Sequence, residues 1–131
     1  MLQKTILAAM KEATSHLLEL VPRDPYASSR PSFLIRSVFL DRHNDGISFS
    51  IEEQPNGQYK LLDDGYYLSD FPEGDWQKLG KTLTQIYTVQ VNPFTREISL
   101  ICLPDRLPDA LCSYFQAIVK AACYEGSLTT S

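Results

Sequence analysis

The stretch FLIRSVFLDRHNDGISFSIEE, residues 33–53, decides the fold. Its first half alternates: Ile35, Ser37 and Phe39 fall on one side of an extended chain, and Leu34, Arg36, Val38 and Leu40 on the other. Its second half does the same, with Ile47, Phe49 and Ile51 facing inward and Ser48, Ser50 and Glu52 outward. Between them stands Asn44-Asp45-Gly46, residue types that tolerate the positive φ of a tight hairpin turn. Two antiparallel strands joined at that turn are therefore predicted. Pro55-Asn56-Gly57 supplies a second turn, and QYKLLDD, residues 58–64, a third strand. Asp64-Gly65 reads as a further turn or bulge leading into YYLSD.

Outward from this meander the period changes. Residues 2–21 carry Leu2, Ile6, Met10, Ala13, Leu17 and Leu20 at helical spacing, with Lys4, Lys11, Glu12 and Glu19 opposite. An amphipathic helix stopped by Pro22 is expected, followed by a Pro/Ser-rich connector over residues 22–32. Downstream, Asp75 is the expected N-cap of a helix running to Ile86, with Trp76, Leu79, Leu83 and Ile86 on its apolar side. YTVQV (87–91) and REISLICL (96–103) read as two strands joined through Asn92-Pro93-Phe94-Thr95. Pro108 or Asp109 opens a last helix through Tyr124, Gly126 stops it, and residues 126–131 form a frayed tail. The order is α-β-β-β-α-β-β-α. This is a single α+β domain over residues 1–131, with an antiparallel sheet of about five strands and three helices.

Composition narrows the function classes. A net charge of −4 disfavours unassisted grip on a phosphate backbone, which rests on Lys and Arg contacts. Cys102, Cys112 and Cys123 make an odd set with no C-x-x-C spacing, read as small buried hydrophobes in a reducing cytoplasm. No apolar run reaches the length of a membrane span, and MLQKTILAAMKEATSHLLEL lacks the continuous apolar region of a signal peptide. A cytoplasmic location is expected.

Two acidic blocks interrupt the strands: Asp41-Arg42-His43-Asn44-Asp45 and Asp63-Asp64. Carboxylates with a histidine are competent as a cation site or a proton shuttle. The same residues also serve turns, where Asp and Asn side chains hydrogen-bond their own backbone. A helix followed by a three-stranded meander is also the opening layout of PD-(D/E)xK nucleases, with Asp41 or Asp45 and Asp63 as acids and Lys60 on the third strand. Gln58 stands where that signature needs an acid, so the motif is incomplete. His16 has no acidic partner at visible spacing and reads as a surface or core-edge residue. No catalytic residue, metal ligand or cofactor is assigned.

The last helix is apolar around most of its circumference, with Asp109, Ser113, Gln116 and Lys120 as its only polar seam. One sheet face rarely needs so wide a surface, so Leu111 and Phe115 are read as binding residues for self-association or a protein partner.

FLDRHNDGI (39–47) and YKLLDDGYYLSD (59–70) together resemble a bacterial and phage family known as domain of unknown function 1828. Its members carry blocks of the form P-F-x-D-R-H-N-D and L-T-D-D-G-Y-T-L. Asp41 to Asp45 and Asp63 to Tyr66 match them position by position, while Leu62 and Tyr67 depart. The resemblance spans residues 30–124. It implies a phage or mobile-element setting and supplies no activity. The element order is also similar to that of type III secretion chaperones, which implies a dimer that holds a client segment. The expectation is thus a non-enzymatic protein-binding module, chaperone-like or inhibiting a host defence protein, with Asp41, Arg42, His43, Asp45, Asp63, Asp64, Leu111 and Phe115 as binding residues. The alternative is a metal-dependent nuclease-like enzyme built on Asp41, Asp45 and Asp63.

Overall fold

A computed structural model describes residues 4–6, 8, 18–22 and 32–124. Six antiparallel strands form one sheet: β1 (Leu18–Pro22), β2 (Ser32–Leu40), β3 (Gly46–Glu53), β4 (Tyr59–Leu62), β5 (Gln90–Val91) and β6 (Ile98–Cys102), in the order β1-β2-β3-β4-β6-β5. Helix α1 (Glu73–Tyr87) connects β4 to β5, and a 3₁₀ turn (Pro104–Arg106) leads from β6 into α2 (Leu107–Ala122). The fold is α+β, as the alternation and turn residues predict.

Register follows the hydrophobic pattern. Phe33, Ile51, Leu61 and Leu100 are successive cross-strand neighbours on the inner face, and Leu34, Ser50, Leu62, Ser99 and Gln90 form the next row on the outer face. Helix α2 lies on the inner face, where Phe49 meets the Tyr114 ring edge-on at 4.9 Å between centroids. One core joins Ile35, Phe49 and Leu61 of the sheet to Trp76, Leu79 and Leu83 of α1 and to Leu111, Tyr114 and Ile118 of α2. Ile6, in the helical turn at residues 4–6, is buried in the same core.

Several local expectations are corrected. Residues 18–22 are a strand paired with Phe33–Ser37, not the end of a helix that runs to Pro22. Leu18, Leu20 and Val21 suit either period, and the open edge of β2 selects the extended one. Helix α1 begins at Glu73 after Pro72, so Asp75 lies inside its first turn instead of capping it. Ile86 is exposed because α1 ends beside it, at Thr88 in the left-handed conformation; this also shortens the strand expected over 87–91 to two residues. Cys102 and Cys112 are half-buried and Cys123 is exposed, just past the last residue of α2 rather than inside. The expectations for residues 9–17, His16, the connector at 23–31, Gly126 and the tail lie outside the described residues.

Candidate functional site

The Asp41–Asp45 block is a turn that satisfies itself. Asp41 is buried, and its Oδ1 accepts the backbone N–H of His43 (2.8 Å) and of Asp45 (3.0 Å). The Asp41 N–H in turn donates to the Asp45 carbonyl at 2.8 Å, and Asn44 takes φ of 65°, a conformation Asn adopts at low cost. Asp45 is exposed at the end of this turn.

Arg42 and His43 leave the turn toward another segment. The Arg42 Nη2 and the His43 Nε2 stand 3.4 and 3.0 Å from Asp70 Oδ2. Arg42 Nη1 donates to the carbonyls of Ala121 (3.3 Å) and Ala122 (3.2 Å), and its guanidinium sits 4.4 Å from the centre of the Phe71 ring. A cation on the last carbonyls of a helix meets groups left without partners inside the helix, at the negative end of its dipole. Arg42 thus fastens the C-terminus of α2 to the 63–72 loop, with Asp70 as its acidic partner.

Asp63 replaces a strand residue. Strand β4 ends at Leu62, yet β6 begins at Ile98 with an N–H still directed at the position β4 has vacated. Asp63 Oδ1 accepts that N–H at 2.8 Å and the Gly65 N–H at 3.0 Å, while Oδ2 accepts the Tyr67 N–H at 3.1 Å. The Ile98 carbonyl takes the Tyr114 hydroxyl at 2.6 Å. Burial pushes the Asp63 carboxyl up to about 6, against the pull of its three backbone donors. The same device recurs on β3: the Tyr67 hydroxyl receives the Ser48 N–H (2.8 Å) and donates to the Ser48 carbonyl (3.0 Å), again past the end of β4. Burial raises the Tyr67 hydroxyl to about 12, so it stays a donor. Asp64 is exposed with φ of 58°, and Gly65 follows at φ of 79°, so close to the Thr95 carbonyl that a Cβ would lie 2.4 Å from its oxygen.

These positions decide what the acids do chemically. Asp41 and Asp63 spend carboxylate lone pairs on backbone amides, and those held by Asp63 are buried and would otherwise lack acceptors. Lys60, the cation of the nuclease-like layout, pairs with Glu97 at 2.9 Å. Among the described residues no group of three His, Cys, Asp or Glu side chains is placed to hold a metal ion. A cleft of about 610 Å³ opens beside the two turns, lined by Ser48, Ser50, Asp63, Asp64, Tyr66 and Tyr67.

The two apolar site residues separate. Leu111 is fully buried in the core, so it presents nothing at the surface. Phe115 reaches a second cleft, of about 400 Å³, with Phe39, Tyr87, Gln116, Val119 and Lys120. Next to it Val38, Phe39 and Leu40 stand 66, 41 and 56% exposed at the end of β2. Sequence reasoning places these three in an alternating strand. A register shift between Arg36 and Leu40 breaks the alternation, and a bulge there re-aims successive side chains. Two further residues escape the sequence. Arg96, at φ of 64°, donates through Nη1 to the carbonyls of Leu68, Ser69 and Phe71 and through Nη2 to Glu73. Asp70 joins Arg42 to His43. Arg96 stands in no motif and Asp70 only closes the 59–70 block, and their partners are 23 to 28 residues away in the chain.

Comparison of the chain with protein-family models, with curated proteins and with solved structures returned no match. No helix among the described residues is long and apolar enough to cross a membrane.

Proposed function

We propose that this protein is a non-catalytic protein-binding module, of the chaperone-like or defence-inhibiting kind found in bacterial and phage settings. One observation carries the reading: Val38, Phe39 and Leu40, three consecutive apolar residues, face solvent at the end of β2. Such a run is costly on a surface and is retained where a partner covers it. The acidic blocks support the same reading from the other side, because Asp41 and Asp63 hold the chain's own turns together.

The test uses the full chain with a photocrosslinking residue at Val38 and, as control, at Lys78 on the exposed side of α1. The expected outcome is one discrete protein adduct from position 38 and none from position 78. Equal adducts from both positions would defeat the proposal. So would Mg²⁺-dependent cleavage of DNA or RNA that disappears in Asp63→Asn, since that result belongs to a metal-dependent nuclease.

A further inference from the structure

Resting on that protein-binding reading, we infer that the cleft formed by Phe39, Tyr87, Phe115 and Val119 is a docking site for an amphipathic segment of another protein, with apolar anchors and a carboxylate that pairs with Lys120. The cleft lies between the end of β2, the last residue of α1 and one side of α2. Its floor is aromatic and aliphatic: Phe39 and Phe115 meet at 5.8 Å between ring centroids, and Tyr87 and Val119 complete the walls. At about 400 Å³ it has room for one or two large apolar side chains, within the range of pockets that seat such groups.

The charge on the rim chooses the partner. Although the chain carries a net charge of −4, the one charged residue lining this cleft is a cation, Lys120, with Gln116 as its polar neighbour. Lys120 is exposed and makes no ion pair among the described residues. A segment with a Glu or Asp beside its anchors gains from that ammonium, and a basic one is repelled. Gln116 and Lys120 are four residues apart on α2, as are Phe115 and Val119, so polar and apolar rows run side by side along the helix. An amphipathic helix presents the matching pair of rows, with anchors at i and i+3 or i+4 and an acid next to them.

The experiment selects a displayed random-peptide library against the full chain and measures synthetic consensus peptides by fluorescence anisotropy. The expected result is a consensus with two large apolar residues at helical spacing and a flanking acid. Phe39→Ser should weaken its binding at least tenfold. Lys120→Glu should weaken it several-fold, and a peptide with Lys in place of the acid should recover binding to that variant. Phe39 and Lys120 both reach solvent, and matching thermal melts will show that each variant is folded. Peptides that bind both variants as tightly as the parent overturn the cleft assignment and leave the protein-binding reading to the Val38 crosslink. Failure of the library to yield any peptide also overturns it. A parent chain that sediments as a dimer, dissociated by Phe39→Ser, overturns the inference too, since the occupant is then a second copy.

Discussion

Thr88 ends α1 with φ of 56°, a left-handed conformation that its branched Cβ resists. Its hydroxyl stays within 2.6 Å of the Tyr87 carbonyl, while Ser113 of α2 also donates to that carbonyl at 2.7 Å. Glycine takes this conformation freely, so Thr88→Gly should raise stability by about 1 kcal/mol, read as a higher urea midpoint at unchanged slope. Asp63 makes a second residue-scale prediction. Its folded carboxyl titrates at about 6 against an ordinary 3.8, so the native state binds the proton more tightly than the unfolded chain. The associated stability is fully present below the unfolded value near 4 and is lost as pH rises through about 6. Relative to Asp63→Asn, which lacks the titration, the parent should gain about 1 kcal/mol between pH 7 and pH 5 in paired urea melts.

At the scale of elements, the molecule is held by two arginines that join pieces distant in the chain. Arg42 links the 41–45 turn to the end of α2 and to Phe71, and Arg96 links the 92–97 turn to residues 68–73 and stacks 5.0 Å from the Trp76 ring. Arg42→Met keeps the length and removes the donors, so it should cost about 2 kcal/mol and speed hydrogen exchange of the amides around Ala122. Legibility in the sequence divides along the same line. The β2–β3 hairpin, the turn at Asn56-Gly57 and the buried side of α1 at Trp76, Leu79 and Leu83 are local patterns, and all can be read directly. The strand at 18–22 cannot, because only its pairing with β2 separates it from a helix end. Nor can the partners of Arg42. Asp70 and the carbonyls of Ala121 and Ala122 are assembled by the sheet and the docking of α2, and no spacing near Arg42 encodes them. The acidic blocks are legible as blocks, but whether they bind a ligand or backbone amides depends on how the 41–45 turn closes on Asp41 and on where β4 stops.

For the whole molecule, the sheet divides labour between its two faces and the apolar end of β2. The inner face and the helices make the core, the turn around Asp63 completes the sheet where β4 gives out, and an exposed apolar patch lies where the end of β2 and the last residue of α1 meet one side of α2. Because Leu40 lies outside that core, Leu40→Ser should leave the melting temperature within a few degrees while weakening the crosslink at position 38, since surface substitutions usually stay within about 0.5 kcal/mol. The Arg42 clamp carries a further consequence for time rather than equilibrium. It joins residues 79 and 80 positions apart, so it closes only after the β2–β3 turn and the end of α2 have been brought together. We predict that a contact of such long loop closure forms after the rate-limiting barrier. In stopped-flow measurements Arg42→Met should therefore leave the refolding limb in place and raise the unfolding rate, roughly 30-fold for a loss near 2 kcal/mol. The arginine that ties the 41–45 turn to the last helix acts as a latch on the finished structure, setting how long each molecule stays folded.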